Sequence, residues 1–101
     1  MTRRQQLHKA LKDLGITNVY FQPPENVKLN FPCIIYKTSK LETEQADNVP
    51  YAISTKYNVL YITKDPDDPM VERLAWEFPT IVHINSYVNE TLYHHSYNLF
   101  Y

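Results

Sequence analysis

A single glycine, a single tryptophan and a single cysteine among 101 residues set the first limits on this chain. One cysteine cannot close an internal disulfide, so a domain this small lacks one of the usual supplements to a modest core and has reason to associate. Cys33 lies in the apolar run Pro32-Cys33-Ile34-Ile35-Tyr36, where a buried small hydrophobe in a reducing compartment is the expectation, ahead of a nucleophile. An excess of one charge is lacking too. Ten Lys plus Arg stand against eleven Asp plus Glu, which argues against a duplex-binding surface built on phosphate neutralisation. Only the first segment is locally basic, through Arg3, Arg4 and Lys9, and three cations on an amphipathic helix ordinarily form a solvated face. No apolar run approaches the roughly 18 residues of a membrane span, and the N-terminal segment lacks the apolar core of a secretory signal, so a soluble, intracellular chain is expected.

What is present, 44% hydrophobic and 21% charged residues, describes one compact domain over residues 1–101. The pattern predicts an α+β fold: an N-terminal helix, a mixed or antiparallel sheet of about four to five strands, a second short helix and a C-terminal β-hairpin. Leu7, Ala10, Leu11 and Leu14 recur at helical spacing, Thr2 and Gln5 are spaced as a capping box, and Gly15 is placed to end the helix. A short strand over 18–22 follows, and Pro23-Pro24 turn the chain away because they donate no ladder hydrogen bonds. After Pro32 the β-branched and aromatic residues predict a strand over 33–41. Residues 42–54 are polar and acidic, with Glu42, Glu44, Asp47, Asn48 and Pro50. Tyr51 and Ile53 favour an arm or extended hairpin that orders on a partner, against the alternative of a mobile solvent loop.

Residues 55–64 form the clearest strand, apolar on both faces, as a central strand covered by helices on one side and by a neighbouring subunit or the rest of the fold on the other would be. Asp65-Pro66-Asp67-Asp68-Pro69 is turn chemistry, with Asp68 as N-cap and Pro69 at the first helical position. Val71, Leu74, Ala75 and Phe78 give the second helix its apolar stripe, and Pro79 stops it. The three aspartates lack the glycine turn and spaced acid of a calcium loop, so capping accounts for them and no metal or other cofactor is implied. Strands over 80–87 and 92–101 complete a hairpin. With Asn89-Glu90 at the turn centre, Ile84 faces His95, Val82 faces Tyr97 and Thr80 faces Leu99 on the core side. His83, Asn85, His94, Ser96 and Asn98 then share a polar face that meets water or a partner.

Catalytic chemistry finds little footing. Adjacent His94 and His95 point to opposite faces of a strand and cannot chelate one ion, and no Ser, His and Asp trio shares a nucleophile motif. A small hydrolase or nuclease would need His83, His94 and an acid to converge in a cleft, so an enzyme is not expected. Nine tyrosines stand out instead. Tyrosine joins a large apolar body to a hydrogen-bonding tip and is enriched where protein meets protein. Tyr36, Tyr57, Tyr61, Tyr93, Tyr97 and Tyr101 all fall in predicted strands, and two short helices can hardly cover both faces of such a sheet, so exposed aromatic faces and strand edges suggest an assembly surface. A single-stranded nucleic-acid binding module would also use aromatic faces, but with a basic groove that this composition does not supply.

The block Tyr20-Phe21-Gln22-Pro23-Pro24-Glu25-Asn26-Val27-Lys28, leading to Phe31-Pro32-Cys33-Ile34-Ile35-Tyr36, then Ala46-Asp47-Asn48 and the strand through Tyr57, resembles the small tail-completion or tail-terminator proteins of tailed bacteriophages. Among neck components, adaptors are mainly helical and stoppers mainly β-barrel, so the α/β order of this chain matches the terminators. The resemblance implies a structural virion protein: a homo-oligomeric ring, a hexamer, that caps the tail tube and joins it to the head-side connector or stopper. DNA would pass through its lumen without specific binding. Its location would be the virion neck, and the host cytoplasm during assembly. Candidate assembly contacts are Gln22, Pro23, Pro24, Glu25 and Asn26 in the proline excursion, Glu42, Glu44, Asp47, Asn48 and Tyr51 in the polar segment, and His83 and His94 in the hairpin. Alternatives are the nucleic-acid module and a different connector component, a stopper or an adaptor.

Overall fold

A computed structural model describes the backbone of residues 2–46 and 49–101, and their side chains except over 40–54. Its elements are α1 (Arg3–Asp13), β1 (Asn18–Phe21), β2 (Cys33–Ala46), β3 (Val49–Thr63), α2 (Met70–Glu77), β4 (Ile81–Asn89) and β5 (Leu92–Phe100). The strands form one mixed sheet in the order β1-β2-β3-β5-β4, so the α+β architecture follows the sequence pattern.

α1 begins where its capping box places it: Gln5 N–H donates to the Thr2 hydroxyl oxygen (3.1 Å), and Thr2 N–H donates to the Gln5 side-chain oxygen (2.9 Å). Gly15, at φ 102°, ends it in a backbone region that residues with a Cβ avoid. At α2 the expected start is corrected by one residue: Pro69 stands at the N-cap and Met70 is the first helical residue, while Asp68, one residue further back, still accepts from Met70 N–H through Oδ1 (2.9 Å).

Both helices cover the same sheet face. Leu7, Leu11 and Leu14 of the first helical segment and Leu74 and Phe78 of the second join Val19, Ile34, Tyr36, Tyr57, Val59, Tyr61, Tyr97 and Leu99 in one buried cluster. α1 lies over β1 and β2, where His8 Nδ1 is 2.8 Å from the Tyr36 hydroxyl and the Arg4 guanidinium sits 4.5 Å above the Phe21 ring. α2 lies over β5 and β4, where the Tyr97 hydroxyl donates to the Val71 carbonyl (2.9 Å). Tyr36, Tyr57, Tyr61 and Tyr97 are therefore core residues, and the expectation that the strand tyrosines supply exposed aromatic faces is corrected for these four. They are buried because their strand positions share the helix-covered face with Ile34, Val59 and Leu99.

β2 and β3 run further than the sequence suggests. Their antiparallel pairing continues to Ala46↔Val49, while β1 pairs with β2 only over Cys33 to Tyr36 and β5 pairs with β3 only as far as Lys56. The outer part of this hairpin is thus a two-stranded ribbon beyond the sheet, the extended hairpin that the polar segment allowed. Asp47 and Asn48 lie outside the described residues.

The C-terminal hairpin corrects the expected register twice. Asn89 pairs with Leu92, so Glu90 and Thr91 occupy the turn centre at φ 51° and 65°, the positive values that a two-residue type I′ turn requires. An irregularity between His83 and Asn85 then adds one residue to β4, and an added residue exchanges the faces of everything before it. The pairs become Ile81↔Leu99 and His83↔Tyr97 on the core side and Val82↔Asn98 on the other. Val82 and Ile84, expected in the core, are 55% and 51% exposed.

Candidate functional site

The sheet face away from the helices is left uncovered by either of them. It is formed by Ile35 and Lys37 of β2, Asn58 and Leu60 of β3, Ser96 and Asn98 of β5, and Ile84 and Tyr87 of β4, which line one shallow groove. Ile84 and Tyr87 are 51% and 46% exposed, sizeable values for large side chains in a strand. Tyr87 stacks flat on His94, with ring centroids 4.7 Å apart and planes 10° from parallel.

Towards β1 this face is bordered by the crossover at 22–32, which joins the parallel strands β1 and β2 without a helix. The crossover lies against the sheet: Pro23, Pro24, Val27 and Leu29 line a second groove with Ile35 and Lys37. Asn30 N–H donates to the Tyr20 hydroxyl (3.4 Å), Asn18 Nδ2 donates to the Pro32 carbonyl (3.1 Å), and the Phe31–Pro32 peptide is cis. Gln22 takes φ 43°, and its side-chain oxygen accepts from Thr38 N–H (3.2 Å) while its own N–H donates to the Tyr36 carbonyl (2.9 Å). The excursion is therefore a ledge beside the open face, with Pro24, Glu25 and Asn26 exposed along its outer side. At the same end Cys33 is fully buried, and burial pushes its thiol up to about 11, the environment of an inert thiol.

β1 and β4 are the outer strands of the sheet, so each presents one unpaired side among the described residues. β4 is the longer and the more exposed, and such an edge is a template for another strand. Nearby, on α2, Trp76 is 85% exposed.

A polar cluster sits on the helix-covered face at the β4 end. Ser86 Oγ lies 2.7 Å from His95 Nδ1 and 2.9 Å from His83 Nε2, so one hydroxyl bridges two imidazoles. His95 Nε2 is buried without a hydrogen-bond partner, and burial, reinforced by the neighbouring His83, holds this imidazole below the usual histidine range. Behind it, Asp68 Oδ2 accepts from the buried Tyr61 hydroxyl (2.6 Å) and the Thr63 hydroxyl (2.8 Å). Burial raises the Asp68 carboxyl, but these bonds and that from Met70 N–H outweigh it and hold the group below the usual carboxylate range. Asp68 is thereby spent on fastening α2 to the sheet.

The expected contact residues do not form one patch. Pro23, Pro24, Glu25 and Asn26 border the open face, whereas Gln22 makes internal bonds at its rim. His94 lies on the open face, but His83 does not: the β4 irregularity turns it against Tyr97, ring centroids 5.3 Å apart, so the expected sharing of one face by His83 and His94 is corrected. Glu42 and Glu44 fall on the β2 side of the ribbon and Tyr51 on the β3 side, their side chains outside the described residues, as are Asp47 and Asn48 altogether. Sequence reading missed Val82, Ile84 and Tyr87 as surface residues, and the pairing of Ser86 with His95. Only the alternation of apolar residues along β4 hinted at them, and it points to the wrong side without the irregularity. No protein-family model matches this chain, and no curated protein matches it in sequence.

Proposed function

We propose that this chain is a structural virion protein of the phage neck, which forms a ring that caps the tail tube and joins it to the head connector. The observation that carries the reading is the one-sided covering of the sheet. Both helices lie on one face, and the other keeps Ile84 and Tyr87 half exposed on the long unpaired edge strand β4, with a proline-stiffened ledge across the sheet at β2. A domain that keeps large apolar side chains half exposed among polar ones on an uncovered sheet face, next to an open edge, gains by burying them against another protein. The resemblance of the Tyr20 to Tyr36 block to tail terminators gives the assembly its identity.

In this reading each subunit contributes its sheet to the ring, and the β2–β3 ribbon and the 22–32 ledge reach the neighbouring components, the tail tube on one side and the connector on the other. A heterologous contact, one edge of the sheet against a different surface of the next copy, closes into a ring when its rotation permits. The formal net charge of −1 suits a conduit that must pass DNA without gripping it. Light scattering on the purified chain, alone and mixed with tail tubes, tests the proposal. A defined multimer in either condition supports it, and a monomer that joins neither itself, tail tubes nor connectors overturns it. Salt-sensitive binding of oligonucleotides by a monomer would favour the single-stranded nucleic-acid module instead.

A further inference from the structure

The two helices carry opposite charge at opposite ends of the sheet. α1, over β1 and β2, exposes Lys9 and Lys12 against one acid, Asp13. The α2 end, over β5 and β4, exposes Asp65, Asp67, Glu72 and Glu77 against Lys64 and Arg73. Near-neutrality of the whole chain thus conceals a dipolar helical layer, positive over one sheet edge and negative over the other. The separation has no evident role within one subunit: the described polar contacts of the acidic end run to its own turn backbone and to β3, and none reaches α1.

We infer that the partner of the β4 edge is a second copy of this chain, docked head to tail, with the acidic α2 end of one subunit facing the basic α1 of the next. This rests on the assembly reading above and adds the surfaces that meet. Charge complementarity selects this occupant. An isologous contact, α2 on α2 or α1 on α1, would set like charges against each other, whereas the heterologous one pairs Lys9 and Lys12 with Glu72 and Glu77. Exposed pairs of this kind contribute little each, so they fix orientation and exclude the wrong pairing, while β4 and Trp76, which lie at the acidic end, supply area to bury.

Charge reversal tests the inference, with light scattering as the readout and circular dichroism to confirm that each variant is folded. K9E/K12E and E72K/E77K should each weaken self-association about tenfold. The fourfold swap K9E/K12E/E72K/E77K should restore it, as should an equimolar mixture of the two double variants, whose unlike ends can alternate around a ring. Restoration in either arm supports the inference. Double variants that assemble like the parent chain, or that dissociate without restoration in either arm, overturn it. If the parent chain multimerises throughout, that failure belongs to the docking surfaces and leaves the assembly reading intact. A parent chain that stays monomeric alone and with tail tubes overturns both.

Discussion

Replacing Asp68 by alanine should cost this small domain a large part of its stability, because one carboxylate satisfies three donors. The Tyr61 and Thr63 hydroxyls donate to one oxygen and Met70 N–H to the other, and both hydroxyl residues are only 2% exposed. A buried hydroxyl left without its acceptor costs about 1–3 kcal/mol, and loss of a helix cap about 1 kcal/mol. The three losses share one site and do not add fully, so about 3 kcal/mol is the expected total. At a urea slope on the order of 1.5 kcal/mol/M, the midpoint should fall by about 2 M. Far-UV circular dichroism at one fixed, dilute concentration reads the transition. Asp67→Ala, at an exposed position, serves as the control and should stay within about 0.5 kcal/mol of the parent. The pH dependence adds a signature. Since the folded Asp68 carboxyl titrates below its ordinary value, its contribution is complete above about pH 4 and is lost as pH falls through the folded value. The gap between parent and Asp68→Ala should therefore narrow in acid, by the part of the contribution that depends on the ionised carboxylate. A variant within about 0.5 kcal/mol of the parent at neutral pH would refute the argument that this carboxylate fastens α2 to the sheet.

Other consequences are as direct. His95 and His8 both titrate below the ordinary histidine value when folded, so stability should decline as pH falls below about 6.5, and His95→Asn should flatten that decline in urea titrations across pH. Replacing Glu90-Thr91 by Asn-Gly puts at both positive-φ turn positions residues that adopt that backbone readily and should raise stability by about 1 kcal/mol, whereas an unchanged or lower midpoint would contradict the turn assignment. Cys33, fully buried with a raised pKa, should resist a thiol reagent until the chain is unfolded, and rapid modification of the native protein would contradict its placement. Ile84→Lys together with Tyr87→Lys should leave the melting temperature within a few degrees of the parent but abolish any multimer seen by light scattering, because both side chains are already half exposed.

Much of this fold is legible where local chemistry and burial agree. The Thr2 and Gln5 capping box, Gly15, the Asp68 bond to Met70 and the apolar run of β3 each place an element on the evidence of adjacent residues. β3 lies between β2 and β5, and of its two apolar faces the helices bury Tyr57, Val59 and Tyr61, while Leu60 lies on the uncovered face. The C-terminal hairpin misleads because its turn holds neither glycine nor asparagine at the two positive-φ positions, and because one added residue in β4 reverses the faces of Val82 and His83. The same irregularity hides the candidate surface: Ile84 counts as core by alternation and faces outward in the fold. The proline excursion was legible as stiff, but its folding back beside Ile35 depends on the length of chain between two parallel strands, which no local pattern records.

Immunogold labelling of this chain on phage particles, imaged by electron microscopy, tests the central claim most directly. The account predicts label confined to the neck, between the head connector and the end of the tail tube, and label on the capsid or tail tip, or on no part of the particle, would contradict it.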